Sequence, residues 1–469
     1  MSIRFRSTVH TSWGMSRALL WLTVATAPLA FGCGEAVPDS GMMQPPDKTP
    51  DPTMPADADC PPDVDCEVIP AAYAVSNPKT GSYGNYDIAN RPEDGMDIRY
   101  IVIHDTDATY DLTLKIFQNP ANLAAAHYVV RSSDGHVVKM ISPKHVAWHA
   151  GNWFYNMHSI GIEHIGFAGE GYAWYSEEMY QASAKLVRFL AKRYNIPLDR
   201  AHIFGHEEVP GGSQARQRSM HWDPGPYWNW ERYMQLLSAP DGDAPKPGTD
   251  VDDGAPGAIA IAPPFADNKP ATTYCFGPNE ASDCRPELWT SANFLYLHTQ
   301  PDERSPFIVN QYLSGVVDDR VYNWGNKAAT GRIYYRSERQ GNWDAIFFGG
   351  IKAWIYNPQG MNTRRAVATL ITPRSGLTSA PVYGFGYPDA AAYQPPTTPQ
   401  TIEKIYDMAA GQRYIATGRF TADYYWAKEF SPSGDTSKNV RVKDATEYYS
   451  LEWNHRVALV KAADVVEVP

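Results

Sequence analysis

Ten of the thirteen histidines fall between His104 and His221. Imidazole changes charge near neutral pH and is the commonest side-chain metal ligand, so this crowding points to a metal centre or an acid–base site. Three segments concentrate the signal. IVIHDT (101–106) sets His104 at the end of an apolar run, and SIGIEHIG (159–166) sets Glu163 among Ile160, Ile162 and Ile165. FGHEEVPGG (204–212), followed by HWDPGPYWNW (221–230), holds His206, His221 and Asp223. Taken singly, a strand-end histidine or a glutamate among isoleucines is more often a hydrogen-bonded structural group. It is the conjunction that points to chemistry.

These residues need elements to hold them. Asp97–His104 is a near-continuous apolar run and predicts a buried strand. His127–Arg131 and His136–Ile141 predict a strand pair turning at Ser133, Asp134 and Gly135. Ser159–Ile165 predicts another strand. Ser176–Tyr194 carries Met179, Leu186, Phe189 and Leu190 at helical spacing, with Ser176 as N-cap and Pro197 beyond the end. Trp228–Leu237 predicts a closing helix. The expectation for 71–238 is therefore an α/β domain, a mixed central sheet flanked by helices. Residues 33–70 and 239–273 are dense in Pro, Asp and Gly and read as a tether and a linker. From 274 onward short β-branched and aromatic runs alternate with turn residues. That texture predicts an all-β region of two small barrels, 274–360 and 361–469.

Composition narrows the partners. The 469 residues carry 41 Lys+Arg against 52 Asp+Glu, a net charge of −11. Nucleic acid is excluded as a general partner, since phosphate-backbone binding needs an excess of cations. Residues 1–32 read as an export signal: Arg4, Arg6 and Arg17 precede or flank the apolar stretch Ala18–Phe31, and no acidic residue precedes Glu35. Met15 is an alternative start. LAFGC, ending at Cys33, resembles the lipobox of bacterial lipoproteins. That resemblance implies a lipid on Cys33, a membrane partner, and a place in the cell envelope, at the outer membrane if the cell is Gram-negative; ordinary cleavage and secretion is the alternative. It leaves two short-range cysteine pairs, Cys60 with Cys66 and Cys275 with Cys284, which an oxidising compartment permits as disulfides.

IVIH, AHYVV, AWHAG, SIGIE, GH and DPGP, in this order over residues 97–238, resemble the zinc-dependent N-acetylmuramoyl-L-alanine amidases, whose fold the peptidoglycan recognition proteins share. The resemblance implies Zn2+ held by His104, His206 and Asp223, with the fourth position open to water as a catalytic rather than structural zinc requires. It implies Glu163 as general base and His221 as donor to the developing oxyanion. His221 stands two residues before the Asp ligand, where many relatives carry Lys. His206 and Asp223 lie seventeen residues apart, longer than in compact members, with SQARQRSM as the extra segment. Tyr128, Trp148, His149 and Trp153 are expected to line a groove for glycan and stem peptide. The implied reaction is hydrolysis of the amide between N-acetylmuramic acid and L-alanine in peptidoglycan. The alternative is a peptidoglycan-binding lipoprotein that keeps the fold without catalysis, which metal content would distinguish. A zinc peptidase with an HExxH helix does not fit, because that motif is absent. Residues 288–357 resemble bacterial SH3-like wall-binding modules, with a more divergent copy over about 368–466.

Overall fold

Every residue of Tyr100–Asp105 is buried, which is what a strand covered on both faces requires. The computed structural model describes residues 59–79, 81–238, 254–275, 284–285 and 289–468. Six strands build the sheet around Tyr100–Asp105. Their spatial order is Cys66–Val68, Val137–Lys139, Tyr128–Val130, Ser159–His164, Tyr100–Asp105 and Ile203–Gly205. Tyr128–Val130 and Val137–Lys139 pair antiparallel as the predicted hairpin, and all other neighbours run parallel. Gly135 closes that hairpin at φ +73°, a backbone state that favours glycine.

Helices cover one face of this sheet. Glu177–Tyr194 starts where expected: Ser176 accepts from the Met179 N–H at 3.1 Å. Glu177 and Glu178 lie in its first turn and Lys192 and Arg193 in its last, matching the helix dipole. Asn195 ends it in the left-handed region. Its Met179, Leu186, Val187 and Leu190 join Trp230 and Tyr233 of helix Trp230–Ser238 over Ile101, Ile103, Ile160 and Ile162. Fully burying side chains of this size stabilises by roughly 1.5–3 kcal/mol each.

The opposite face is covered differently from the expectation. Tyr100, Val102 and Phe204 pack with Phe154 and Met157, and then with Tyr387, Ala422, Tyr425, Tyr448 and Leu459 from the C-terminal region. That region is all-β, as predicted, in several antiparallel sheets. One has five strands in the order Ile351–Tyr356, Trp343–Phe348, Ile333–Gln340, Gly257–Ile261 and Thr363–Arg365. The other has seven, in the order Lys404–Ala409, Ser379–Tyr383, Val457–Lys461, Val440–Glu452, Tyr414–Trp426, Thr369–Pro373 and Val465–Val468.

Three expected boundaries move. Gly257–Ile261, inside the expected linker 239–273, pairs with Ile333–Gln340 and Thr363–Arg365; its alternating Ala and Ile bury Ile259 and Ile261. Thr363–Arg365, expected in the second module, returns to the first sheet. Cys66–Val68, expected in the tether 33–70, is an edge strand of the six-stranded sheet, and the Cys60–Cys66 disulfide sits beside it. Cys275 and Cys284 form the second disulfide. The expected export signal 1–32, Cys33 and residues 34–58 and 239–253 lie outside the described residues. Among the described residues no helix is long and apolar enough to cross a membrane.

Candidate active site and metal centre

Three neighbouring parallel strands carry the site at their carboxyl ends, where open α/β sheets generally bind ligands. His104 and Glu163 are register partners on adjacent strands. His206 follows directly on Ile203–Gly205, the strand on the other side of His104. Asp223 comes from a loop that two main-chain contacts fix: its carbonyl accepts from the Glu207 N–H at 2.8 Å, and its Oδ2 from the Asp105 N–H at 3.2 Å.

The predicted ligand trio comes together. Ligand atoms of His104, His206 and Asp223 lie within 4.8 Å of one another, and all three residues are buried. His206 Nδ1 is 3.1 Å from Asp223 Oδ1, and His104 Nδ1 is 3.4 Å from Asp223 Oδ2. Burial alone would raise the Asp223 carboxyl, but the His206, His104 and His221 imidazoles overturn that and hold it well below the usual range. Burial, only partly offset by Asp223, pushes His206 down to about 3, so that imidazole is neutral.

The tautomer of His104 can be read from its surroundings. Ser159 Oγ donates its single proton to the Tyr155 carbonyl, so towards His149 Nε2, 3.1 Å away, it can only accept. His149 therefore carries its proton on Nε2 and accepts through Nδ1 from His104 Nε2–H at 2.9 Å. His104 Nδ1 is the ring nitrogen left facing the Asp223 carboxylate, an arrangement that suits a shared cation. His206 Nε2 and Glu163 Oε2 are also buried without a hydrogen-bond partner. The residues present fit a metal ion.

Glu163 is half-buried, and its carboxyl is pushed well above the usual glutamate range by burial first, then by Asp223 and Asp105. Ile160 and Ile162 of the same strand face the helices, on the opposite side. His221 stacks on His206, centroids 4.5 Å apart, with its Nδ1 3.6 Å from Asp223 Oδ1. Its side chain is 68% exposed, so it stands at the mouth of the site.

Two of the expected groove residues, Tyr128 and His149, are buried. Tyr128 is fully buried in the core under the helices, its hydroxyl donating to the Asp59 carbonyl at 2.9 Å. His149 is 8% exposed and lies behind His104, not in a groove. Trp153 is half-buried at the seam with the seven-stranded sheet, its indole N–H donating to the Tyr425 carbonyl at 3.0 Å. Trp148 packs against Tyr83 and donates to Asp87 Oδ2 at 3.4 Å. In each case a large ring finds its cover in a part of the chain remote in sequence.

Sequence reasoning missed the supports. Gly161 is one: a Cβ there would come within 2.5 Å of His149 Cγ, so only glycine leaves room for the ring that orients His104. Asp105 is another. Burial pushes its carboxyl well up, and it lies 2.9 Å from the Tyr175 hydroxyl, which also reaches the Pro224 carbonyl at 2.7 Å. The glycine of SIGIE and the histidine of AWHAG were visible signals; Tyr175 gave none.

The chain was compared with known proteins. Residues 94–226 match the family described as N-acetylmuramoyl-L-alanine amidase. N-acetylmuramoyl-L-alanine amidase A of Achromobacter lyticus is 30% identical over 181 residues, 35% of this chain and 93% of that protein. Among solved structures, a selenomethionine AmpD derivative is 23% identical over 39% of this chain and all of the other, with TM-score 0.30. The E. coli amidase AmiD, solved in complex with an anhydro-N-acetylmuramic acid tripeptide substrate, is 24% identical over 35% of this chain and 66% of its own, with TM-score 0.26. Since the match to the Achromobacter lyticus enzyme spans nearly that whole protein, the chain belongs to the N-acetylmuramoyl-L-alanine amidase family.

Proposed function

We propose that this protein is a zinc-dependent amidase that hydrolyses the bond between the lactyl carbonyl of N-acetylmuramic acid and L-alanine in peptidoglycan. The observation that carries it is the buried trio of His104, His206 and Asp223, whose ligand atoms lie within 4.8 Å of one another, with an unpartnered Glu163 oxygen on the next strand. His104, His206 and Asp223 would hold the zinc ion. Zinc would supply Lewis acidity at neutral pH. Glu163, its proton affinity raised by burial, takes the proton of the attacking water and delivers it to the departing alanine nitrogen. His221, at the mouth, donates a hydrogen bond to the oxygen that gains charge as the carbonyl is attacked. Water adds to the carbonyl carbon, the C–N bond breaks, and the released amine keeps the proton.

Export, a lipid on Cys33 and a place in the cell envelope belong to the same proposal, supported by the charge and apolar pattern of residues 1–33. So do the SH3-like character and wall-binding role of the C-terminal sheets, supported by their sequence texture. The test is digestion of purified sacculi by wild type and Glu163→Ala, with mass spectrometry of the products and metal analysis of the protein. Muramic acid freed from L-alanine by zinc-loaded wild type alone is expected. Zinc-loaded wild type that leaves that bond intact would sink the enzymatic reading.

A further inference from the structure

The seven-stranded sheet reaches the metal centre through one side chain. Arg456 sits in the turn between strands Val440–Glu452 and Val457–Lys461, more than two hundred residues beyond the last ligand and outside the family-matched residues 94–226. It is 5% exposed. Its Nη1 donates to the carbonyls of Glu207 and Val209, both at 2.7 Å, and its guanidinium reaches the His221 carbonyl at 3.2 Å through Nη2. Its own N–H is held by Asn454 Oδ1 at 2.7 Å, which fixes the turn.

Those three carbonyls are not arbitrary. Glu207 and Val209 lie one and three residues after the ligand His206, and His221 lies two residues before the ligand Asp223. The segment between the ligands is long and holds its own short helix, Gln214–Gln217, so its ends need an external clamp. Within the domain the ends share one main-chain bond, Glu207 N–H to the Asp223 carbonyl at 2.8 Å. Arg456 supplies the other three. A guanidinium can span them because its donors are fixed in a planar fork; an ammonium cannot. Gln214 Nε2, donating to the Ile405 carbonyl at 2.8 Å, braces the middle of the same segment against the same sheet.

We infer that Arg456 is a positioning residue of the metal centre: the C-terminal sheet holds both ligand-bearing ends of the 206–223 segment at ligating distance, so the β region is part of the catalytic unit. The inference rests on the zinc reading above. Groups that orient metal ligands typically change metal affinity 10–100-fold when removed.

The test uses the full chain. Zinc affinity is measured by chelator competition, alongside KM and kcat at saturating zinc, for wild type, Arg456→Lys and Arg456→Gln, with Tyr425→Phe as control. Tyr425 donates across the same seam to the Ile88 carbonyl at 2.8 Å and touches neither ligand segment. The expected result is a 10–100-fold loss of zinc affinity in the Arg456 variants, with KM near wild type and the zinc affinity of Tyr425→Phe unchanged. Zinc affinity within twofold of wild type in either folded Arg456 variant overturns the inference. So does an equal loss in Tyr425→Phe, which would mark a general effect of loosening the seam. If Arg456→Lys does not fold, Arg456→Gln decides, and the metal-free melting curves separate folding from ligation. Wild type that binds no zinc instead removes the reading beneath the inference, a distinguishable failure.

Discussion

Replacing His149 with Phe keeps a ring of similar size behind His104 and removes both hydrogen bonds that fix its tautomer. His104 Nε2–H then loses its 2.9 Å acceptor in a site where His104 is 2% exposed and water cannot substitute. Leaving a buried donor unpaired costs about 1–3 kcal/mol. The His104 proton is then free to move to Nδ1, the atom that faces Asp223. The expected consequence is a 10–100-fold loss of zinc affinity, about 1.4–2.7 kcal/mol. Chelator competition on the purified variant reads it directly, and steady-state kinetics at saturating zinc show how much activity returns. Gly161→Ala provides a second route, because its Cβ would displace the His149 ring it meets at 2.5 Å. The two variants should fail in the same way. A tenfold rise in KM with unchanged zinc affinity in His149→Phe would instead make His149 a substrate contact, as the sequence suggested, and would refute the relay.

Other outcomes follow from the same geometry. Glu163→Gln should bind zinc as wild type does and lose 100-fold or more in kcat, the usual scale for a general base. Because Glu163 must be ionised to accept a proton and burial raises its carboxyl, wild-type kcat/KM should fall with decreasing pH along a limb above the ordinary glutamate range, absent in the Gln variant. Two buried histidines should lower stability on acidification below about pH 6.5, against the opposite pull of the Glu163 and Asp105 carboxyls, whose raised proton affinity favours the folded state as pH falls. Burial pushes His145 down to about 4 and His127 well below the usual histidine range, so between these values and 6.5 the unfolded chain binds protons that the folded chain does not. Each such histidine contributes a slope of at most about 1.4 kcal/mol per pH unit, less for His145, which is partly exposed. Melting temperatures of wild type and His145→Gln between pH 7.5 and 5 check it: wild type should lose more on acidification, and equal losses would contradict the neutral burial of that ring. Stripping zinc with a chelator should lower the melting temperature reversibly, since a ligand that binds only the folded state stabilises it by mass action; an unchanged melting curve would count against a metal bridging strand ends and loop.

What could be read in the sequence was whatever local pattern dictates. The apolar run 100–105 can only be a covered strand, so His104 falls at a strand end. The Ser176 cap and the spacing of Met179, Leu186 and Leu190 define the helix. Ordered motifs named the ligand trio and Glu163 because each sits where strand or turn chemistry is local. Burial against distant chain is another matter, since no neighbour in sequence records it. Tyr128 and Trp153 looked like groove aromatics because aromatic rings serve equally well in a groove or a core. The tertiary structure put one under the helices and the other at the seam with the β region. His149 lies behind His104 for the same reason: its place depends on Ser159 and on the space left by Gly161. Arg456 could not have been found at all, since one arginine among β-strands gives no hint that its guanidinium ends on carbonyls beside His206 and Asp223. Periodicity and capping act over a few residues, so the sequence alone settled which elements form. Close packing and the need to satisfy every buried polar group act across the whole chain, so only the folded structure decided what each face meets and which side chains hold the metal ligands in place.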